Sequence, residues 1–335
     1  MNVYFDIANL RSYAKQGSHQ NFKACTNMLR QNFDLCFTFK KEDVQREKKQ
    51  NLANIMNLMR QLTSNRGDSK PFEWDVAFPK RPLKDDLYDS LTKEQLMSVY
   101  LLDDSNINSF VQHGCLLFAA EGDEIKALSN LFIEGQMIAT KQYNQRHMTD
   151  WSVIAQNASP CTDIIIVDRY LFAQSDRLYE RNSYKVIEHL AKWNKGRALN
   201  IVVFTLPEFK INKDDITPVP FPTIERQLKK KLKEQTGGEH NITFVKMPLG
   251  KEICEHDRYI ITNYKMFVSG DSYKYFDENG NNTSKGRLFH VSTHGDKECR
   301  EQSLEIIDDL QKLIDEVKGG LLNITGDRKS NFFTF

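Results

Sequence analysis

Glu255-His256-Asp257-Arg258-Tyr259-Ile260-Ile261-Thr262-Asn263 is the stretch on which the reading of this 335-residue chain turns. Its apolar centre predicts a strand over residues 258–262. Side chains alternate faces along a strand, so His256 and Arg258 point the same way. Asn263 follows the strand, in a turn expected to swing its amide back toward them. Gly270 comes seven residues later, where a backbone without a Cβ can approach a ligand closely. An imidazole, a guanidinium and an amide converging on one hollow make a site for a phosphate-like anion. The planar fork of Arg suits phosphate oxygens. The competing reading is a satisfied polar cluster of His256 and Arg258 with Asp257 or Asp168.

The pattern around this strand is that of an α/β protein. Asp163-Ile164-Ile165-Ile166-Val167 is an unbroken apolar run, as expected of a strand covered on both faces. Further strands are predicted at 199–204, 242–245, 266–268 and 288–291, and helices at 183–193, 223–235 and 298–318. Gly237-Gly238 suits the end of the second helix. Ile307, Leu310, Ile314 and Val317 give the third a buried stripe. Upstream, Val3-Tyr4-Phe5 reads as a strand ending at Asp6. It is followed by a helix over 22–33, a strand over 35–39 and a long helix over 42–62 with Leu52, Ile55, Met56 and Met59 on one face. Residues 72–78 read as a strand, 79–90 as a loop and 96–102 as helical. A strand at 115–119 and a helix at 124–132 complete this half. The polar stretch 142–162 places a boundary between an N-terminal α/β domain (1–150) and a second domain (160–319). Residues 320–335 are expected to be a flexible tail. Its Phe332, Phe333 and Phe335 would either dock a partner protein or fold back on their own domain.

The spacing His256-x-Arg258-x-x-x-x-Asn263 resembles the His-x-Lys-x-x-x-x-Asp motif of the phospholipase D superfamily. It is more similar to the phospholipase-D-like carboxy-terminal domain of proteins that carry a microtubule-interacting and trafficking (MIT) domain. There too the motif reads His-Asp-Arg with an Asn at this spacing, then a glycine and a Tyr-Phe pair, matched here by Gly270 and Tyr275-Phe276. Asp163 to Val167 and the following Asp168-Arg169-Tyr170 look like that family's first strand and its polar end. The resemblance covers the second half of the chain. It implies a mixed sheet flanked by helices, and recognition of an anion or a phosphoinositide headgroup without hydrolysis. Similar domains occur in bacterial defence and mobile-element proteins. By that analogy the chain is expected to be a phosphate- or nucleic-acid-recognising component of a prokaryotic defence or mobile-element system.

Hydrolysis by phospholipase D chemistry needs one His as nucleophile and a second as acid for the leaving group, hence two motifs. This chain has one, with His256 as its candidate catalytic residue; His290 and His294 lack the spacing. Asn263 in place of Asp also removes the carboxylate that would orient the imidazole.

In the first half, Asp6 stands at a strand end, where open sheets place ligands. Asp103, Asp104, Glu121, Asp123 and Glu124 also fall at the ends of predicted elements. Clustered carboxylates of this kind can hold Mg²⁺ for phosphodiester cleavage. A first strand ending in Asp6 and followed by Asn9 resembles PIN and NYN ribonuclease domains, which implies a metal-dependent nuclease with Asp6 as a catalytic residue. The competing reading is a set of solvated helix caps, as Asp123 would be.

The 46 basic and 45 acidic side chains nearly cancel, so an anionic partner has to be held locally. Arg226, Lys229, Lys230, Lys231 and Lys233 form one such candidate patch on a helix, facing a phosphate backbone or an anionic membrane surface; Ile224, Leu228 and Leu232 give that helix its buried side. The six cysteines are scattered, without zinc spacing, and read as buried thiols. No secretory leader and no run of membrane-spanning length is seen, so the expected location is cytoplasmic. Three classes therefore compete: a phosphate-recognising component with nucleic-acid, protein or homo-oligomeric partners, a nuclease, and a peripheral membrane-recruitment module.

Overall fold

The computed structural model describes residues 1–64, 72–76, 93–101, 121–133, 137–139, 148–173, 176–210, 216–247, 258–283, 288–317 and 323–335. The chain is α/β and divides into two compact units, Met1–Glu134 with Thr293–Arg300, and Gly135–Ser292 with Glu301–Phe335. The division falls before the boundary expected near residue 150. Thr293–Arg300, expected in the second domain, belongs to the first unit, and its contacts show why. Arg300 lies over the Phe33 ring at 5.8 Å and donates to the carbonyls of Asn32 (3.1 Å) and His294 (2.7 Å). Gly295 passes so close to Phe132 that a Cβ there would sit 2.6 Å from the ring's own Cβ.

The first unit opens with β1 (Asn2–Phe5), α1 (Ile7–Lys15), α2 (Phe22–Asn32), β2 (Asp34–Phe37), α3 (Lys41–Gln45), α4 (Lys49–Thr63), α5 (Lys93–Met97), β3 (Val99–Leu101) and α6 (Glu124–Phe132). The strands form a parallel sheet in the order β2-β1-β3. Helix α1 starts because Asp6 accepts the Asn9 backbone N–H at 2.7 Å, an N-cap that satisfies an otherwise orphaned donor. The long helix expected over 42–62 is broken between α3 and α4, where Glu47 turns to the Arg11 guanidinium. Residues 99–101, expected to be helical, form β3, held in register Val3↔Val99. The strand expected at 115–119 lies outside the described residues.

The second unit comprises β4 (Met137–Ala139), α7 (Ser152–Asn157), β5 (Asp163–Val167), α8 (Asp176–Arg181), α9 (Ser183–Ala191), β6 (Leu199–Thr205), the hairpin of β7 (Glu208–Lys210) and β8 (Ile216–Pro218), α10 (Phe221–Thr236), β9 (His240–Lys246), β10 (Arg258–Thr262), β11 (Lys265–Ser269), β12 (Leu288–Thr293, its last residue in the first unit), most of α11 (Lys297–Val317) and β13 (Ile324–Gly326). Its large mixed sheet runs β13-β9-β6-β5-β10-β11-β12-β4. Strands β5, β6 and β9 are parallel, while β10 and β13 are antiparallel to their neighbours β5 and β9. One face of the sheet, with Ile164, Ile166, Ile201, Val203 and Ile260, packs against apolar side chains of α7, α9 and α10. Alternation turns Phe204 and Met266 to the other face, where they meet Phe333 and Ser303 of α11.

Where described, the tail expected to be flexible is folded. Ser330 and Asn331 donate to the buried Asp163 carboxylate at 2.7–2.8 Å, and Phe332 and Phe333 are buried. The carboxylate at the start of β5 supplies the acceptors that fix it. A docking role for the buried Phe332 and Phe333 is thereby replaced by one in this unit's own core.

Candidate anion site at the end of strand β5

Strands β5, β6 and β9 end on the same edge, and because β10 runs backward its first residue, Arg258, lies there too, beside Val167 through the pair Tyr259↔Val167. The chain passes from β5 to β6 on one side and later returns to add β10 on the other. In open α/β sheets the edge at the carboxyl ends of the parallel strands is where ligands bind.

The centre of this edge is Asp168. It is fully buried and accepts from Ser272 Oγ (2.7 and 2.9 Å), Tyr273 N (2.8 Å) and Tyr170 N (2.9 Å). Burial raises its pKa, against the opposing pull of these donors and of the Arg258 charge. One carboxylate thus ties the loop after β5 to the loop after β11, segments more than 100 residues apart. Tyr170 projects from the first loop with 40% of its surface exposed. Two cations face its ring, the Arg258 guanidinium at 5.9 Å and the Lys274 ammonium at 5.7 Å. Next to Tyr170, the Arg169 Nε is buried and has no acceptor among the described residues, a state that favours an anion. Tyr273 anchors the hairpin by donating to the carbonyl of Phe267 at 3.1 Å. A cation on a strand and another on a loop held by a buried network can bind an anion with little reorganisation.

The structure separates what the motif seemed to unite. Arg258 and Gly270 share the crevice end of the β10–β11 hairpin, through the pair Arg258↔Ser269. Asn263 does not join them. It lies at the far end of β10, roughly 16 Å away at ~3.3 Å per residue, and is fully buried. Its Oδ1 accepts from Thr162 N at 2.8 Å, and its Nδ2 donates to Thr162 Oγ1 at 3.0 Å. The expected closing amide is therefore a clamp on the start of β5. His256 lies outside the described residues. Tyr275 and Phe276 are buried against Trp151, His290 is exposed, and His294 is buried in the first unit. Lys274 belongs to no motif in the sequence; its place at the Tyr170 ring follows from the loop after β11, which Asp168 holds at Ser272 and Tyr273.

The cationic helix face is locally neutralised. Lys229 contacts Glu225 (2.7 Å) and Asp327 (2.6 Å), Lys231 contacts Glu180 (2.9 Å), Lys230 approaches Glu234 (4.0 Å), and Lys233 bonds Glu239. The patch expected from sequence keeps only Arg226 without an ion pair among the described residues, because acids from three other segments and its own helix meet the rest.

In the first unit Asp6 is an N-cap, whose Oδ1 also accepts from Asn9 Nδ2 at 3.3 Å. Asp6 and Glu121 lie close enough for their charges to act on Arg11. Glu121 and Asp123 are exposed, Asp123 making no side-chain cap bond, and Asp104 lies outside the described residues. Among the described residues no three His, Cys, Asp or Glu side chains are grouped to hold a metal ion. Glu124, one of the acids at the predicted element ends, is buried: it accepts from Ser12 Oγ at 3.1 Å and Gly122 N at 3.0 Å, and burial raises its pKa. Cys25, Cys36, Cys161 and Cys299 are buried free thiols, and no described helix is long and apolar enough to cross a membrane. No protein-family model matches the chain, and no curated protein matches its sequence.

Proposed function

We propose that the second unit is a phosphate-recognising module whose ligand is a nucleic acid or another phosphate ester, held at the crevice end of β5 and β10 without hydrolysis. The observation that carries this reading is the pair of cations facing the exposed Tyr170 ring, Arg258 from the start of β10 and Lys274 from the loop that buried Asp168 holds. Arg258 supplies a planar fork for phosphate oxygens, and Lys274 a mobile point charge. The buried Arg169 Nε, on the same loop as Tyr170, is a further donor without an acceptor among the described residues. The placement of Asn263 speaks for binding over cleavage: an amide clamped on Thr162 at the opposite strand end leaves the motif without its orienting partner. The resemblance of the His256-x-Arg258 segment to a non-hydrolytic phospholipase-D-like domain supports the same choice, and supports a place in a prokaryotic defence or mobile-element system.

The test is fluorescence anisotropy of labelled single-stranded DNA and RNA, alongside inorganic phosphate competition and vesicles containing phosphoinositide. Binding is expected to fall by about tenfold or more in Arg258→Ala, since a hydrogen bond to a charged group contributes ~1.5–3 kcal/mol, and to weaken steeply with salt. A cleavage assay with Mg²⁺ or EDTA is expected to show no product. Undiminished binding in Arg258→Ala and Lys274→Ala would remove the proposal, and Mg²⁺-dependent cleavage lost in Asp6→Ala would replace it with a nuclease of the first unit.

A further inference from the structure

Helix α4 turns a different stripe inward from the one its periodicity suggests. Ile55, Leu58 and Leu62 are its buried residues, whereas Met56 is 44% exposed and Leu52 and Met59 are half-buried. Those three, with Trp74, line an open, mainly apolar groove of about 560 Å³. Its α4 wall extends from Leu52 to Thr63, roughly 16 Å at ~1.5 Å per residue. The opposite wall is fixed in place. Glu73 N bonds Leu35 O and Val76 N bonds Phe37 O, both at 3.0 Å, and the Trp74 ring rests 4.7 Å from that of Phe37.

We infer that this groove docks an amphipathic helix of a partner protein whose apolar stripe is flanked by Asp and Glu. Charge decides the partner's chemistry. The charged residues lining the groove are Lys41 and Arg60; both are exposed, and neither has an ion pair among the described residues. Lys48 and Lys49, also exposed, stand one turn before Leu52. Shape decides its form. A straight wall three turns long, with apolar side chains at i, i+4 and i+7, is the counterpart of a helix stripe of the same spacing. Exposed methionines can repack around such a stripe, because the thioether chain is unbranched and polarizable. Single-stranded nucleic acid suits the groove less well. Phe72 and Trp74 are packed against Phe37 and each other, which leaves little open ring face for stacked bases.

The test is a selection of displayed 20-residue helical peptides on the full chain, with Leu, Phe or Met fixed at the stripe and Asp, Glu, Lys and Arg randomised beside it. Met56→Glu serves as the counter-selection protein; Met56, Lys41 and Arg60 are all exposed, so variants there keep the fold. Acidic peptides are expected to be enriched and to lose at least tenfold in affinity on Met56→Glu. The double variant Lys41→Glu, Arg60→Glu is expected to prefer the Lys-for-Glu version of the selected peptide. The inference is overturned by no enrichment over the counter-selection, by enriched peptides that are basic or neutral, or by affinity indifferent to the charge reversal. It is equally overturned if the wild type sediments as a dimer that Met56→Glu dissolves, or if an RNA oligomer displaces the peptide from the groove.

Discussion

Both units place an aspartate directly after their first parallel strand, Asp6 after β1 and Asp168 after β5, yet the two carboxylates do different work. Asp6 accepts from Asn9, three residues ahead, through both its backbone N–H and its side-chain amide. Asp168 gathers donors from both loops that frame its crevice, 104 and 105 residues apart in sequence. Their electrical surroundings differ as well. Around Asp6 the charges of Asp6, Glu47 and Glu121 converge on one guanidinium, Arg11. Around Asp168 the cations Arg258 and Lys274 face an exposed ring. The same local pattern therefore gives a helix cap in one unit and the keystone of an anion site in the other, and long-range partners decide which.

The contrast is broken most severely at Asp168. Asp168→Ala strands three donors inside the protein and is expected to cost ~3–5 kcal/mol, read as a lowered denaturant midpoint together with lost oligonucleotide binding. Asp6→Ala removes the cap of α1. Its expected cost is ~1 kcal/mol, with oligonucleotide affinity unchanged in the same titration. A loss for Asp6→Ala as large as that for Asp168→Ala would erase the distinction.

Lysine 274 sharpens the comparison from the ligand's side. Lys274→Ala is expected to weaken binding three- to tenfold and to reduce the slope of log affinity against log salt by about one, as one fewer phosphate contact requires. Stability should change by no more than ~0.5 kcal/mol, measured in the same denaturant series.

The smallest expected effect concerns pH. The Arg11 hydrogen bond holds Glu47 below its ordinary range. A depressed carboxylate stabilises the folded state above its unfolded pKa of ~4.3, and that contribution is lost as pH falls through the lower folded value. Asp168 is raised by burial, so its contribution has the opposite sign: it favours folding on the acid side and is withdrawn as pH rises through the raised value. Glu47→Gln is accordingly expected to flatten the acid-side loss of protection in α1 and α4, followed by amide exchange, while leaving the second unit's profile unchanged.

Much of the fold was legible because much of it is periodic. Strand β10 falls on the expected residues, β5 also, and Gly237 ends α10 in a left-handed conformation, with φ of 74°. What sequence hid was set by distant partners. The break between α3 and α4 carries Glu47, whose partner Arg11 lies 36 residues earlier. The tail reads as aperiodic because it contributes side chains to a carboxylate 167 residues earlier. The lysines of α10 looked like open charge because Glu180 and Asp327 lie in other segments. Spacing alone puts Asn263 beside Arg258, because it counts residues along a strand and does not tell which end a turn serves. Helix α1 was missed although its signal was local, an Asp cap with Leu10 and Tyr13 spaced to one side.

The fold returns late to things begun early. Asp163 sits in a central strand of its sheet, and its partners Ser330 and Asn331 emerge from the ribosome only after some 167 further residues. The Arg300 clasp on Asn32 arrives 268 residues after the carbonyl it caps. Neither unit is continuous in the chain, so co-translational folding reaches both end states only near the end of this sequence. Until then Asp163 lacks the donors of Ser330 and Asn331, and β9 lacks its partner β13, the kind of incomplete structure on which chaperones act.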